Sequence, residues 1–366
     1  MKTLQRRYDI DWIRVIAIGL LIIYHIAIAF QPWGVYIAFI QHNESLEYLW
    51  KPMSMLNVWR IPLLFFVSGM GVYFAIKKRD WKILLLERSQ RILIPFVFGF
   101  FAIVPLHVFI FQKYYDMNLD FTPNPGHLWF LGNIFCYVVL LAPIFFYLKH
   151  NENGKIHNAL KKLLAKPWGL LLTTIPFLLE VHILQPNTFE FYAMNWHGFF
   201  LGLLAFLFGF VFTYSGESFW NNILHWRWMY FAGAAILFAV RLWIFELKAP
   251  LYLTAIESNI WVWTVFGFGY KYLNKPSKLL TYLSQSAYPL YILHMFALYG
   301  FSYLLFPLEI SALSKFVLLV VFTTIACLLL FELVIKRVFW IRPLFGLKML
   351  KSKPRVKESK QIPMHT

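Results

Sequence analysis

An arginine and a histidine lie eleven residues apart in the first long apolar run of the chain, near residues 10–31. On an α-helix this spacing is about three turns, so Arg14 and His25 share one face about 16 Å apart. Ionisable side chains are costly inside a membrane and by default suggest a functional site. A histidine at this depth must face a cavity or a polar partner, and it titrates near neutral pH. Arg14 has a second interpretation, because its side chain can extend to the cytoplasmic headgroups and pair with Asp11.

A second arginine, Arg60, falls near the outer end of the next apolar run. It lies about five residues, or about 8 Å, below the membrane edge, which is close to the depth expected for His25. One cavity could therefore hold both residues, with Arg60 stabilising a developing oxyanion or a bound carboxylate. An interfacial arginine that reaches the headgroups is an equally good interpretation. Pro62 and the Ser68-Gly69 pair predict a kink or a close helix approach, and Ser68 is a further polar candidate.

Two short motifs flank the third and fourth apolar runs. Arg88 and Arg91 are three residues apart, so on a helix their guanidinium groups share one face and suit a phosphorylated cytosolic ligand. Without other evidence, their charges are explained by membrane topology alone. A turn-rich segment leads to His127 and Trp129 at the mouth of the fourth run. These two residues could hold a sugar, although Trp129 is also typical of an interfacial aromatic belt.

The ninth run carries Tyr291 and His294 one turn apart, again within the membrane. They could belong to the site or form an ordinary interhelical hydrogen-bond cluster. Glu332 in the tenth run is a possible partner for an intramembrane cation. The sequence contains no Gly-rich phosphate loop, no Gly-x-Ser-x-Gly elbow and no histidine pair at metal-ligand spacing. We therefore expect no bound cofactor and no metal.

The composition is that of a polytopic membrane protein. Hydrophobic residues make up 60% of the 366 residues and charged residues only 14%, against about 25% in soluble domains. The net charge of +17 does not indicate nucleic-acid binding, because the basic residues are spread over short loops between apolar runs. Cys136 and Cys327 fall within predicted spans and are interpreted as packing residues. The N-terminal run is too long, and too rich in ionisable residues, for a cleaved signal peptide.

The pattern predicts an all-α membrane bundle of about ten transmembrane helices. The fifth, seventh and eighth are the weakest because they contain Glu180, Arg241 and Glu257. The predicted spans lie near residues 10–31, 55–76, 92–112, 128–148, 168–185, 197–214, 229–245, 252–270, 287–306 and 315–335. We expect residues 1–340 to form the membrane domain and residues 341–366 a basic cytoplasmic tail.

The distribution of basic residues predicts that both termini are cytoplasmic. With that orientation, 27 of the 34 Lys and Arg residues fall in inside segments, three fall in spans, and four fall outside. The outside residues are Lys51, Lys113, Lys248 and Lys315. This asymmetry follows the positive-inside rule, and an odd number of spans would break it. The inside loop near 215–228, with Arg227 alone, supports the orientation least.

Taken together, the motifs resemble those of the acyltransferase-3 family of integral membrane acyltransferases. The resemblance runs from about residue 8 to about residue 340. It is carried by Asp11-x-x-Arg14 with His25, by the stretch from Pro62 to Gly69 that ends Phe-Phe-Val-Ser-Gly, by Arg88-x-x-Arg91-Ile-x-x-Pro95, by His127-Leu-Trp-Phe-Leu, and by Tyr288-x-x-Tyr291-x-x-His294. Each motif is weak alone, whereas their order along the chain is fairly specific.

The resemblance implies a multi-pass enzyme of the bacterial inner (plasma) membrane that takes an acyl group from cytosolic acyl-coenzyme A (acyl-CoA), used as a co-substrate. The acceptor would be a hydroxyl of an extracytoplasmic glycan or glycolipid, next to membrane lipid. His25 would be the catalytic histidine and Arg14 its functional partner, while Arg88 and Arg91 would recognise the donor's phosphates. The chain looks most like a glucan-modifying branch that often transfers succinyl groups. Arg60 departs from the apolar residue expected in much of the family.

Two mechanisms and one different function stay open. His25 could deprotonate the acceptor hydroxyl, which then attacks the thioester, or it could itself be acylated first. The alternative function is a proton-coupled transporter or flippase of a small anionic or glycan substrate, in which His25, Arg60 and Glu332 would line a path. That alternative predicts two matched halves with broken helices, and the sequence shows no such internal symmetry.

Overall fold

The computed structural model describes residues 6–349, and within them the chain is helical, with no strand. Backbone groups in hydrocarbon must be satisfied within the segment, which favours helices in so apolar a chain. The helices are α1 (Tyr8–Ile28), α2 (Trp50–Ile76), α3 (Trp81–Arg88), α4 (Ile94–Phe98), α5 (Val104–Tyr114), α6 (Trp129–His150), α7 (Lys155–Leu164), α8 (Pro167–Leu172), α9 (Ile175–Leu184), α10 (Trp196–Tyr214), α11 (Glu217–Trp243), α12 (Leu251–Tyr272), α13 (Lys278–Leu305) and α14 (Ala312–Leu329). Shorter π-helical turns at Ser89–Leu93 and Gly99–Ile103 join α3, α4 and α5 into one segment, and another at Leu330–Ile335 extends α14.

Nine helical segments of the described chain are long and apolar enough to cross a membrane. Helix α12 is 22 residues long but less apolar, because it carries buried polar residues such as Glu257, Ser258 and Asn259. It follows α11 after a short loop and packs against both α11 and α2. It therefore lies alongside the spanning helices, with its polar side chains turned into the bundle. The prediction of an all-α bundle of about ten membrane helices is confirmed.

Two of the predicted inside loops are more ordered than the sequence suggested. The loop expected at 215–228 is helical from Glu217, after Gly216 takes a left-handed φ of 65° that separates α10 from α11. The inside segment near 149–167 contains α7, which buries His157 and Leu164 and exposes its lysines. Neither segment is a continuous apolar run, and α7 is amphipathic, so hydropathy alone does not reveal them.

The first residues of the segment predicted to be a polar tail are folded against the bundle. Residues Phe339–Phe345 form a 3₁₀ helix, and the buried ring of Phe345 packs edge-on against Phe98 at 5.5 Å. Residues 350–366, which contain most of that segment's basic residues, lie outside the described part of the chain.

Helices α2 and α10 approach each other closely at two glycines. A Cβ added to Gly69 would lie 1.9 Å from the carbonyl oxygen of Phe206, and one added to Gly209 would lie 2.0 Å from that of Phe66. Small residues are the usual means by which membrane helices come into close contact. The Phe-Phe-Val-Ser-Gly stretch therefore fixes the position of α2, the helix that carries Arg60.

Candidate functional site

The structure brings together two histidines that are 269 residues apart in the chain. His25 Nδ1 lies 2.8 Å from His294 Nε2, and the two rings stack with their planes 6° apart. His294 is completely buried, and His25 is half-buried. The contact joins α1 to α13, which pack side by side. Both residues were site candidates from the sequence, but nothing in their spacing indicated that they form a pair.

The hydrogen bonds around this pair fix the tautomers of both neutral rings. The Nδ1 of His294 lies 2.7 Å from the carbonyl oxygen of Tyr291, which only accepts, so His294 Nδ1 carries the proton. His294 Nε2 is then an acceptor, and His25 Nδ1–H donates to it. His25 Nε2 is consequently left with a free lone pair. A neutral imidazole in this state is suited to take a proton from a hydroxyl group.

Two further histidines lie against this pair. The ring of His127 is 4.9 Å from that of His294, and the ring of His107, on α5, is 5.6 Å from that of His127. His127 Nε2–H donates to the carbonyl of Ile292 at 3.1 Å, and the Tyr291 hydroxyl donates to the carbonyl of His127. The Nδ1 atoms of His107 and His127 are buried, and within residues 6–349 they have no hydrogen-bond partner.

His107 was missed by the sequence argument. It falls within the third predicted span, so the depth rule that singled out His25 also applies to it. Within the described chain, no group of three or more His, Cys, Asp or Glu residues is arranged to hold a metal ion.

Arg60 contacts the ring of Tyr24, the residue that precedes His25 on α1. Its guanidinium carbon is 4.1 Å from the centre of the Tyr24 ring, and that ring is 5.8 Å from the ring of His25. Its one hydrogen bond is a long contact of 3.4 Å to Asn57 Oδ1. Arg60 is only 1% exposed, and its Nε and Nη1 atoms have no hydrogen-bond partner among the described residues. Arg60 and His25 are thus neighbours through one aromatic ring.

The backbone next to Arg60 is held by one side chain from α12 and one from the loop between α9 and α10. Pro62 has no N–H, so the carbonyl of Val58, four residues earlier, lacks its helical donor. The hydroxyls of Ser258 and Tyr192 donate to this carbonyl instead, at 2.8 and 3.0 Å. The proline therefore creates an anchoring point that fixes this turn of α2.

The arginines of two motifs meet at the opposite end of α1 from His25. Arg14 pairs with Asp11 at 2.8 Å and stays 43% exposed. Arg88 and Arg91 are close enough for their positive charges to repel each other, and each also lies within Coulombic range of Arg14. The side chain of Arg88 contacts α2, where its Nη2 donates a long hydrogen bond of 3.4 Å to the carbonyl oxygen of Gly71. Arg91 is exposed and lies in the π-helical turn, so its head is available to a ligand.

The remaining sequence candidates have local partners. The Ser68 hydroxyl donates to the carbonyl of Leu64 at 2.7 Å, within its own helix. Trp129 is half-buried and its ring lies 6.1 Å from that of Phe65. Glu332 pairs with Lys336 at 2.8 Å and is 37% exposed.

The ionisable residues that weakened the prediction of three membrane spans form ion pairs inside the bundle. Arg241 bonds to Glu257 at 2.6 Å and to Glu190 at 3.1 Å. Glu180 pairs with His197 at 2.8 Å, and both are buried. Paired charges explain how these helices tolerate ionisable residues without forming part of the histidine cluster.

An apolar groove of about 320 Å³ runs between α1, α2 and α12, lined by residues such as Ile16, Leu63 and Phe268. Its walls carry almost no polar surface, so the groove provides no group that could act as an acid, a base or a nucleophile. The site is therefore defined by the histidine cluster and its neighbours.

The fold and the site define a multi-pass membrane protein with a buried pair of hydrogen-bonded histidines. A family model described as an acyltransferase domain, acyltransferase-3, matches residues 7–332. The match covers most of the chain, so the protein belongs to this family and is a membrane acyltransferase. Comparison with curated proteins and with solved structures found no match. The resemblance given by the sequence motifs is thus confirmed at the level of the family, and the glucan-modifying branch stays a prediction.

Proposed function

We propose that the protein transfers an acyl group from cytosolic acyl-CoA to a hydroxyl of an extracytoplasmic glycan or glycolipid, with His25 as the base. The observation that carries the proposal is the hydrogen-bond chain from the Tyr291 carbonyl through His294 to His25. It leaves His25 Nε2 free to accept a proton. A base held in one tautomer needs no reorganisation before it reacts, which favours catalysis.

In the proposed step, the acceptor hydroxyl loses its proton to His25 Nε2 and its oxygen attacks the thioester carbonyl. A new C–O bond forms, the C–S bond breaks, and the proton leaves with the coenzyme A thiol. In the second mechanism, His25 Nε2 itself attacks the thioester carbonyl, an N–C bond forms, and the C–S bond breaks to release the coenzyme A thiolate. The acceptor oxygen then takes the acyl group as the N–C bond breaks, and the proton of the acceptor hydroxyl ends on the coenzyme A thiol. Both mechanisms require the same free lone pair, and the sequence and geometry support them equally.

We further propose that the arginines at the other end of α1 receive the donor. Arg88 and Arg91 supply two guanidinium groups for the phosphates of acyl-CoA, and Arg14 adds a third that Asp11 holds in place. The pantetheine arm of the donor would then extend along α1 toward His25. This assignment follows the separation of about 16 Å between Arg14 and His25 on one helix face.

The test is acyl transfer by His25→Ala, measured with labelled acetyl-CoA in permeabilised membrane vesicles that contain their own envelope glycans. Loss of a general base costs about 10²- to 10⁴-fold, so transfer should fall to background at normal protein abundance. His225→Ala is the matched control, because His225 is an exposed histidine on α11. Intact transfer in His25→Ala would contradict the proposal. An acid quench without acceptor would trap label on His25 only if the second mechanism operates.

A further inference from the structure

Tyr288 has a buried hydroxyl whose hydrogen bonds are unmade. Its oxygen is shielded from solvent, and it has no hydrogen-bond partner among the described residues. The residue lies on α13, six residues and about 9 Å from His294 toward the predicted cytoplasmic end. Leaving a buried hydroxyl unpaired is costly, so Tyr288 is a candidate for donating a hydrogen bond to a ligand.

The charged side chains that act on this hydroxyl are cations. They are Arg88 and Arg91, which lie within Coulombic range of it. In the described part of the chain, neither arginine has a carboxylate within 4.0 Å, and Glu87, which precedes Arg88, pairs instead with Arg79 at 2.7 Å. Guanidinium groups only donate hydrogen bonds and a tyrosine hydroxyl can donate one, so the three groups together suit the acceptor oxygens of a phosphate.

A segment outside the matched domain lies against this tyrosine. Residues 339–347, which we call the strap, begin with the 3₁₀ helix Phe339–Phe345 and follow residue 332, where the family match ends. Gly346 has a left-handed φ of 69°. A Cβ added to it would lie 2.5 Å from Cε1 of Tyr288 and 3.0 Å from the carbonyl oxygen of Arg91. The backbone of the strap therefore contacts both the tyrosine and the arginine.

Two sets of contacts fix the strap in this position. Phe345 is buried and packs against Phe98 on α4. Arg342 donates to the carbonyl oxygens of Lys336 at 2.8 Å and Lys348 at 3.0 Å, two residues that flank the strap. The strap thus has a defined conformation beside the arginines of the proposed donor site.

We propose that Tyr288 is a further binding residue of the donor site, whose hydroxyl donates to a phosphate of acyl-CoA that Arg91 also binds, and that the strap holds the Tyr288 ring against Arg91. This inference rests on the proposed function and adds one residue and one segment to its donor site. A bound phosphate supplies the acceptor that the hydroxyl lacks and the negative charge that the two arginines lack. Hydrogen bonds to a charged group are also stronger than those between neutral groups.

The test of the hydroxyl measures the Kd for coenzyme A itself by calorimetry on the detergent-purified full-length protein. It therefore requires no acyl transfer. Tyr288→Phe should raise the Kd by about 10- to 150-fold, the range for a hydrogen bond to a charged group. The thermal midpoint of the ligand-free variant should not fall, because the lost hydroxyl has no partner there. Tyr303→Phe is the matched control, because Tyr303 lies at the opposite end of the same helix.

The test of the strap compares two glycines that share a left-handed φ. Gly346→Ala should raise the Kd for coenzyme A, because its Cβ would displace the strap or the Tyr288 ring. Gly216→Ala is the matched control, because its φ is 65° and a Cβ added there has nothing within 4 Å. An equal effect of the two variants on the Kd would overturn the role of the strap.

The remaining outcomes separate this inference from the proposed function. An unchanged Kd in Tyr288→Phe would overturn the role of the hydroxyl, whether or not Gly346→Ala folds. A wild-type protein that does not bind coenzyme A would contradict both the inference and the proposed donor. A wild-type protein that binds coenzyme A, loses affinity in Tyr288→Phe and yet transfers no acyl group would support the inference and contradict the proposed reaction.

Discussion

Replacement of His294 tests whether it acts through His25. In His294→Leu, His25 Nδ1–H loses its acceptor, and the ring is no longer held with Nε2 toward the substrate. An unpaired buried polar group costs about 1–3 kcal/mol, which corresponds to about 5- to 150-fold in rate if the whole cost falls on the reactive state. The loss should therefore be smaller than the loss in His25→Ala. His294→Gln should recover much of the rate, because its amide oxygen can accept from His25.

The assay is the initial rate of labelled acyl transfer at saturating donor, normalised to the amount of folded protein. A double variant separates positioning from a merely structural role. If His294 acts only by orienting His25, then His25→Ala with His294→Leu should be no slower than His25→Ala alone. Wild-type activity in His294→Leu, or a full additional loss in the double variant, would refute this reasoning.

Three further predictions concern the arginine pair, the helix contact and the cytoplasmic helix. Replacing Arg88 and Arg91 together by Gln should raise the KM for acyl-CoA with a smaller effect on kcat. An unchanged KM would mean that these arginines only determine membrane topology. Gly69→Ala should lower the thermal midpoint of unfolding, because its Cβ would overlap a backbone oxygen on α10. Gly71→Ala is the control and should not lower the midpoint, because a Cβ added at Gly71 has nothing within 4 Å. Equal midpoints for the two variants would contradict the packing argument. Burial lowers the pKa of His157, whose Nδ1 accepts from the backbone N–H of Asn153 at 2.8 Å. Its contribution to stability is therefore present above the ordinary pKa of 6.5 and falls as the pH drops below it. The protection of α7 amides, measured as hydrogen exchange relative to the intrinsic rate at each pH, should therefore fall in acid, but not in His157→Gln.

The sequence indicated the membrane bundle because its signal is local. Apolar runs of membrane length, broken by short basic loops, define spanning helices without knowledge of their neighbours. Hydropathy predicts α12 only weakly, because Glu257 and its polar neighbours lower the mean hydropathy of a helix that is buried in the bundle. Their partners, Arg241 among them, come from other helices and cannot be read from α12 alone.

The candidate site shows a similar division. Arg14, His25 and Arg60 were recognisable because an ionisable residue within an apolar run is unusual wherever it packs. His107 satisfied the same rule and was overlooked. The expected proximity of Arg60 and His25 depended on depth alone, and the structure shows that both side chains are neighbours of the Tyr24 ring.

The sequence by itself determined the class of protein, an all-α bundle of about ten membrane helices, and the ionisable residues whose burial is energetically costly. These properties follow from composition and spacing along one helix. The tertiary structure alone decided that His294 is the partner of His25 and that, among the described residues, no carboxylate lies within 4.0 Å of Arg60. It also decided that the carbonyl freed by Pro62 accepts from Ser258 on α12 and from Tyr192 in the loop before α10. Each of these depends on contacts between segments far apart in the chain, which one-dimensional periodicity does not encode.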